Sequence, residues 1–436
     1  MVEDWLEEDL SWVTTSAVVD LQASPADVVR GFEQLASSPS QLQAVLESLL
    51  VKPSHELLAC ADAFIGHMGA LLEEGTPRRI LELSKKLWVR LNLLMPRRLR
   101  VMTVNALRPK DKRGFKMAPY TEEDITTDPL VVLQCDQRVF RSPVLLELTL
   151  RNLQAYLQGS RAQLTEHLAK SFSGDKPGSN VGQQEREELR LALVATQESA
   201  AIQVLLESCL PTQQDKQEQS LLSDLREVQG IVCSCVHQMF ISEPSLAKLV
   251  HFQGYPSELL SLTVAAIPSM HICLDFIPEM LSQPQMDKQI FAIQLVSHLS
   301  LQYALPKALS VARLAINVMS ALLSVLPLET RPSFYLQTLS ALPRICQAFP
   351  PLCEDVVTLL IQMGRVCSSH LAVRGAPANG MESAVTLSDL SLDSGGSLQT
   401  PSGSMRWLCN HSFLLEAVQA TFTEIVNRTA LLKPTR

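Results

Sequence analysis

The chain has 436 residues, 46% of them hydrophobic, and its formal net charge is −8 at pH 7. A chain of this length exceeds one ordinary hydrophobic core, so we expect several domains or an extended repeat array. The mild acidity gives no overall case for nucleic-acid binding, and 17 glycines with few alternating β-branched runs argue against a sheet protein.

The first hundred residues predict four helices, each begun by a proline or a capping residue. Ser24, Pro25 and Asp27 are typical of an N-cap followed by proline in the first turn. Further helix starts are indicated at Pro39, Pro53 and Pro77. Short proline-marked turns between these helices favour antiparallel stacking.

The acidic N-terminus lacks the apolar core of a secretory signal, and ten cysteines are scattered through the chain, mostly inside apolar helical runs. This usage is typical of reduced, buried thiols in a cytosolic or nuclear protein. No disulfide is therefore predicted.

A basic segment follows the fourth helix, from Arg97 to Lys116, with eight lysines or arginines against one aspartate. Its basic residues are Arg97, Arg98, Arg100, Arg108, Lys110, Lys112, Arg113 and Lys116. Such a cluster indicates a surface for RNA or DNA, a surface for an acidic protein, or a solvated loop. Only Phe115 interleaves as an aromatic residue, so base stacking has weak support. The three alternatives remain open.

The stretch from Lys248 to Leu326 is apolar almost throughout but is cut by prolines. Proline cannot donate a backbone hydrogen bond and disfavours helix in the residue before it, so the intervening pieces are predicted to be separate helices. The dividing prolines are Pro256, Pro268, Pro278, Pro284 and Pro306. Several pieces carry apolar residues on more than one face, which predicts burial between neighbouring helices.

Composition divides the chain into arrays and linkers. Segments 171–184 and 371–406 are predicted to be disordered because they are rich in small polar residues and glycine. The full division is 1–120, an N-terminal helical array ending in the basic segment; 121–170, a connector and helices; 171–184, a linker; 185–210, a helix; 211–220, a Gln-rich linker; 221–370, a C-terminal helical-repeat array; 371–406, a disordered insert; and 407–436, a terminal helix.

Three apolar runs are candidates for a membrane span. Leu259–Leu274 is short and carries a proline and a histidine, and Gln289–Pro306 contains Gln294, His298 and Gln302 in its interior. Leu314–Leu328 falls below the ~20 residues that a span needs. Buried core helices are the favoured interpretation, stable membrane insertion is not expected for this chain, and membrane association is a third functional hypothesis.

Side chains capable of chemistry are poorly arranged along the sequence, which lacks a phosphate-binding loop, a nucleophile elbow and a zinc-protease motif. Cys233, Cys235 and His237 form a CxCxH pattern, but residues two apart on a helix diverge, and no second ligand pair stands nearby. The same spacing separates His271 from Cys273. No catalytic residue, metal ligand, cofactor or small-molecule substrate is predicted.

Two further features receive structural and functional interpretations. Asp275 lies among apolar residues and needs a partner, which a helix N-terminus or Arg313 could supply. His251, Phe252 and Tyr255 lie beside a glycine-proline helix stop. They either fill a groove between helices or anchor a partner protein.

Long stretches of this sequence resemble the C-terminal part of the Integrator complex subunit 2 family, in order from about residue 85 to residue 370. The upstream stretches are LWVRLNLLMPRRLRVMTVNAL, DPLVVLQCDQRVFRSP and ESAAIQVLLESCLP. The later ones are LVHFQGYPSELL, IPSMHICLDFIPE, KQIFAIQLVSHL, QYALPKALSVARLA and AFPPLCEDV. Family members are about two to three times longer than this chain, so it resembles a C-terminal fragment or a truncated gene product.

The resemblance implies a non-catalytic helical scaffold in a large nuclear assembly that acts on RNA polymerase II transcripts. That assembly processes the 3′ ends of small nuclear RNAs and attenuates transcription, with its catalytic activities in other subunits. The expected partners are other Integrator subunits and, indirectly, RNA polymerase II.

The expected fold is all-α, an α-solenoid of stacked antiparallel helical hairpins of the HEAT or armadillo kind with disordered linkers. The alternative function is direct nucleic-acid binding by a helical-repeat protein through segment 97–116, with RNA as one ligand.

Overall fold

The computed structural model describes residues 23–109, 118–171, 180–213, 215, 217, 219–375 and 403–431. Every regular element in these ranges is an α-helix or a 3₁₀ helix, which confirms the all-α prediction. The helices form two compact units, one ending at Val232 and the other beginning at Cys233. The arrangement of hairpins as a solenoid stays a prediction.

The first unit contains eight helices and the beginning of a ninth. They are α1 (Pro25–Glu33), α2 (Pro39–Val51), α3 (Ser54–Gly66), α4 (Arg78–Leu94), α5 (Pro96–Ala106), α6 (Glu122–Thr127), α7 (Pro143–Ser171), α8 (Asn180–Ser208) and α9 (Gln219–Ser242). Short 3₁₀ helices at Met68–Leu72, Pro129–Leu133 and Gln137–Arg141 join some of them.

Local capping chemistry explains where the first of these helices begin. The Ser24 hydroxyl and backbone amide both donate to the Asp27 carboxylate, at 2.6 and 2.9 Å, and the Asp27 amide returns a bond to the Ser24 hydroxyl. Thr121 and Asp124 form the same reciprocal box before α6. Each box satisfies backbone amides that have no partner within the helix, and the first confirms the N-cap predicted at Ser24.

The core of the first unit lies between packed helices. Helix α2 packs against α4, α1 packs against α2 and α3, and α3 packs against α5. Trp88 is buried at the centre, where its indole Nε1–H donates to the Thr103 hydroxyl at 2.8 Å. That hydroxyl donates in turn to the Leu99 carbonyl at 2.8 Å, so α4 and α5 share a satisfied polar contact inside an apolar interface.

The predicted linkers are shorter than composition indicated. Helix α8 begins at Asn180 rather than Glu185, because Gln183 and Gln184 are good helix formers despite lying in a polar stretch. The remainder of that linker, residues 172–179, lies outside the described residues, as do residues 1–22 and 376–402.

In the Gln-rich linker, Asp215 is 3% exposed and is held by a fixed network. Its carboxylate accepts from the Thr212 amide and hydroxyl at 2.6 and 2.8 Å, and forms a two-point ion pair with Arg141 at 3.2 and 3.0 Å. Arg141 also donates to the carbonyls of Ser208 and Leu210 at the end of α8. The arginine thus ties the linker, α8 and the start of α7 together.

The second unit holds the rest of α9 and nine further helices. They are α10 (Pro244–Gln253), α11 (Leu260–Ala266), α12 (Ile277–Leu281), α13 (Met286–Gln302), α14 (Pro306–Val325), α15 (Arg331–Thr338), α16 (Ala341–Ala348), α17 (Cys353–Gly375) and α18 (Gly403–Leu431). Its 3₁₀ helices are Ser257–Leu259, Pro268–Asp275 and Pro350–Leu352.

Helix α13 is the centre of the second unit. It packs against α11, α12, α14, α15 and α16 and is buried on several faces, as the proline-cut apolar stretch predicted. Four of the five dividing prolines lie at or near helix boundaries, whereas Pro278 lies in the first turn of α12. That position costs nothing because first-turn amides have no partner within the helix.

Helix α18 covers one side of the second unit, against α15, α16 and α17. Its buried residues follow helical spacing and are His411, Leu414, Val418, Thr421 and Ile425. The terminal helix, predicted from residue 407, begins at Gly403, and helix α17 continues to Gly375, inside the predicted insert.

The length argument against a membrane span at Leu314–Leu328 was wrong, because α14 begins earlier and has 20 residues. Among the described residues, α14 is long and apolar enough to cross a membrane, and the bent pair Ser257–Ala266 and Pro268–Asp275 passes the same test if counted as one span. Core helices of soluble proteins share these properties. In α14 one stripe packs inward, composed of Ala308, Val311, Ala312, Ala315, Ile316, Met319 and Leu323.

Candidate functional site

The described part of the basic segment begins on α5. Arg98 Nη2 lies 2.5 Å from the Asp62 carboxylate of α3, and the exposed Arg97 lies 3.8 Å from Glu122 of α6. Arg100 is half-buried, and its charge lowers the pKa of Tyr156, which burial nevertheless raises to about 12. Arg97 and Arg98 therefore face two different helices, α6 and α3.

The other basic residues fall beyond α5. Arg108 donates to the Ala118 carbonyl at 2.8 Å, and its guanidinium carbon lies 4.1 Å from the centre of the Tyr120 ring, within cation–π range. Lys110, Lys112, Arg113 and Lys116 lie outside the described residues. The structure thus locates four of the eight predicted surface residues.

Three basic residues of α4 are paired with acidic residues of the same unit. Arg78 pairs with Glu227, Arg79 with Glu47, and Lys85 with Glu147, at 2.9, 3.2 and 2.5 Å. Such pairs reduce the positive potential that a phosphate backbone would meet. They are also exposed or half-exposed, so each contributes little to stability and exchanges readily with another carboxylate.

Replacing Arg97, Arg98 and Arg108 together with alanine should change the affinity of the chain for a single-stranded RNA oligonucleotide by less than about threefold at 150 mM salt. The reason is that Arg98 and Arg108 already bond to Asp62 and to the Ala118 carbonyl, which leaves only Arg97 accessible. Fluorescence anisotropy over a salt series measures this. A loss of about tenfold or more, with a shallower salt slope, would favour the nucleic-acid alternative.

His251 is the centre of a second, buried cluster. Its Nδ1–H donates to the Ala247 carbonyl at 2.6 Å, which leaves Nε2 as an acceptor. Nε2 lies 3.6 Å from the Cys273 thiol and 3.3 Å from the Tyr255 hydroxyl, and that hydroxyl lies 3.0 Å from Thr263 Oγ1. All these polar side chains have partners, which is the condition for burying them at low cost.

Aromatic rings surround the imidazole and keep it uncharged. The ring centres of Phe240, Phe276 and Phe291 lie 6.0, 5.8 and 6.3 Å from that of His251. Burial lowers the pKa of His251 to about 4 and raises the pKa of both Cys273 and Tyr255. At neutral pH the thiol keeps its proton, so this Cys–His contact is poorly suited to nucleophilic chemistry.

The structure pairs Cys273 with His251, which the sequence marked only as a possible partner anchor. His271, two residues before Cys273 in the sequence, is exposed and lies edge-on to Tyr303, with ring centres 5.9 Å apart. Because His251 and Cys273 are 22 residues apart, no local spacing reveals their contact.

Two of the three predicted partner-anchor residues belong to this buried cluster. His251 and Tyr255 are buried, so neither offers surface to a partner in this structure. Phe252 is half-buried, 6.2 Å from the Phe276 ring centre and beneath the Lys248 ammonium. The anchor prediction now depends on Phe252 alone.

Two other sequence patterns have structural explanations. Cys233 and Cys235 are both buried, and His237 Nδ1 lies 2.9 Å from the Ser269 hydroxyl; no set of three potential ligands that could hold a metal occurs within the described ranges. Asp275 is exposed and pairs with Lys307, not with Arg313. Of the two predicted partners, Arg313 is excluded: Lys307 in the first turn of α14 pairs with Asp275, whereas Arg313 lies six residues further along that helix, 3.9 Å from Asp355.

Comparison with known proteins supports the sequence resemblance. A family model described as Integrator complex subunit 2 matches residues 1–372. Relatives described as Integrator complex subunit 2 are 47% identical over 414 residues in Gallus gallus, 46% over 422 in Mus musculus and 47% over 421 in Homo sapiens. Each match covers 86% of this chain, and the chain spans 35% of the length of these curated relatives.

Proposed function

The chain belongs to the Integrator complex subunit 2 family, and from this membership we propose that it is a non-catalytic scaffold subunit of the nuclear Integrator complex. In this role it supports 3′-end processing of small nuclear RNAs and attenuation of RNA polymerase II transcription through protein–protein contacts. Its partners are other Integrator subunits, and it contacts RNA polymerase II only indirectly. The observation that carries the proposal is the family match over residues 1–372.

A scaffold role is supported by the polar side chains, which form hydrogen bonds and ion pairs mainly with one another. The buried thiol and imidazole of Cys273 and His251 are neutral and satisfied, and the basic side chains of α4 and α5 mostly bond to neighbouring helices. In an active site, by contrast, the reactive side chains are accessible to the substrate, and their pKa values are shifted toward the protonation state that reacts. We further propose that the hairpins stack as an α-solenoid, which offers extended surface to partners.

Direct nucleic-acid binding is the second candidate function, favoured by one observation. Arg97 is exposed, and its 3.8 Å separation from Glu122 is too long for a hydrogen bond. Its guanidinium is therefore accessible to a phosphate as well as to a carboxylate.

The scaffold proposal predicts the size at which the chain elutes from nuclear extract. An antibody against it should detect the chain in size-exclusion fractions far above its 48.2 kDa mass, together with other Integrator subunits. Nuclease treatment should leave that elution unchanged, because the contacts are between proteins. Elution at the mass of a monomer contradicts the proposal, and a nuclease-dependent shift favours the second candidate.

A further inference from the structure

Four large aliphatic side chains are exposed close together in the first unit. They are Val51 at the end of α2, Leu58 on α3, and Leu93 and Leu94 at the end of α4, with 61, 41, 62 and 38% of their surface exposed. Single exposed aliphatic residues are ordinary, whereas a contiguous group with a polar rim is typical of a protein interaction site.

Two polar contacts place these side chains at one corner. Arg90 of α4 donates to the carbonyls of Leu50 and Lys52 at 2.6 and 2.5 Å. Because these residues flank Val51 in the sequence, Val51 lies beside α4. Leu93 and Leu94 follow Arg90 by three and four residues and therefore lie one turn further along the same side of the helix.

The second contact places Leu58 beside them. Arg98 in the first turn of α5 bonds to Asp62 of α3, so the beginning of α5 lies against α3. Leu58 precedes Asp62 by four residues and shares its face. Helix α5 begins two residues after Leu94, so the end of α4 also lies beside the face of α3 that carries Leu58. We name Val51, Leu58, Leu93 and Leu94 the aliphatic corner.

The rim of the aliphatic corner carries surplus positive charge. Lys52 pairs with Glu56 and Arg98 with Asp62, so those charges balance. Arg90 bonds to backbone carbonyls, and no carboxylate among the described residues lies within ion-pair distance of it. Arg97 is exposed, with Glu122 at 3.8 Å. A ligand that presents carboxylates around an apolar stripe complements this charge.

We propose that the aliphatic corner docks an acidic amphipathic helix of another subunit of the assembly, an inference that rests on the proposed scaffold function. Aliphatic residues at an i, i+3, i+4 spacing on such a helix would cover Leu93 and its neighbours, and a flanking carboxylate would bind the exposed guanidinium of Arg97. Nucleic acid fits less well, because the corner contains aliphatic side chains where single strands need aromatic platforms.

The test is site-specific photo-crosslinking in the assembled complex. p-Benzoylphenylalanine in place of Leu93 should crosslink to one protein partner, and mass spectrometry should locate the adduct in a segment rich in Asp and Glu with helical apolar spacing. The same probe in place of Val325, which is 76% exposed in the second unit, is the control and should not crosslink to that segment.

Glutamate substitutions test whether the aliphatic corner contributes to binding. Leu93→Glu and Arg97→Glu should each reduce recovery of the crosslinked subunit at least tenfold, whereas Val325→Glu should leave it unchanged. Circular dichroism should show unaltered thermal midpoints, because all three side chains are exposed.

The possible outcomes separate this inference from the scaffold function. A Leu93 adduct to RNA, to a second copy of this chain or to a basic segment overturns the docking site, as does absence of an adduct while other Integrator subunits still co-purify. In those cases the scaffold function stands. If no Integrator subunit co-purifies, the scaffold function itself fails, and the docking site fails with it.

Discussion

Arg141→Met should lower the free energy of unfolding of the first unit by about 3–5 kcal/mol, the range for breaking one side of a buried ion pair. Methionine retains much of the side-chain volume but leaves the Asp215 carboxylate, 3% exposed, without its cation. It also removes the donors to the carbonyls of Ser208 and Leu210 at the end of α8. Urea denaturation of the purified chain measures the change.

A matched control is available on α7. Arg151 makes an exposed pair with Glu147 four residues away, so Arg151→Met should cost no more than about 0.5 kcal/mol. Adding Asp215→Asn to Arg141→Met should recover part of the loss, because it removes the unpaired buried charge. Equal effects of the two methionine variants would show that the arginine contact with the linker has no structural role.

The Arg141–Asp215 ion pair should also make the stability of the chain depend on pH in the acidic range. Burial alone raises the pKa of Asp215, but hydrogen bonds from Thr212 and the charge of Arg141 outweigh it, and the pKa lies below its ordinary value. A carboxylate whose folded pKa is lowered stabilises the fold above its unfolded pKa. That contribution is lost as the pH falls through the folded pKa.

Between pH 7 and pH 4 the free energy of unfolding of the second unit should fall by about 3 kcal/mol through His251. Its pKa is about 4 in the folded chain against an ordinary value of 6.5, and each unit of pKa difference is about 1.36 kcal/mol. In this window the unfolded chain binds the proton and the folded chain does not, so stability rises with pH.

Comparing variants isolates the contribution of His251. His298, whose pKa burial also lowers to about 4, contributes in the same window, so the informative quantity is the difference in pH slope between wild type and variant. His251→Gln should reduce the fall in stability between pH 7 and pH 4 by about 3 kcal/mol, whatever its effect on absolute stability, whereas His271→Gln at an exposed position should leave the fall intact. An unchanged slope in His251→Gln would mean that the imidazole is not held neutral.

Local chemistry made much of the fold predictable from the sequence. The N-cap before Pro25, the reciprocal box at Thr121 and the prolines that begin α2, α5 and α14 are signals confined to a few neighbouring residues. Their energetics do not depend on tertiary structure, so the helix starts follow from them. Composition was a poorer guide at α8, because polar residues with good helix propensity extend that helix into a predicted linker.

The candidate sites were less predictable because they depend on residues far apart in sequence. Arg141 and Asp215 are separated by 74 positions, and only the Thr212–Asp215 capping pattern marks that linker as ordered. The CxCxH and HxC patterns contain residues two apart, whose side chains point to different sides of a helix. His251 and Cys273 instead meet because the two elements that carry them pack together. The basic segment was visible as charge, but its pairing with Asp62 and Glu122 was not.

Affinity purification of the tagged chain from nuclei, followed by quantitative mass spectrometry, tests the scaffold role most directly. The scaffold role predicts that other Integrator subunits are enriched over a tag-only control, that nuclease treatment does not remove them, and that Arg141→Met reduces their recovery by destabilising the chain. Recovery of soluble, folded chain without enrichment of any Integrator subunit would contradict the account.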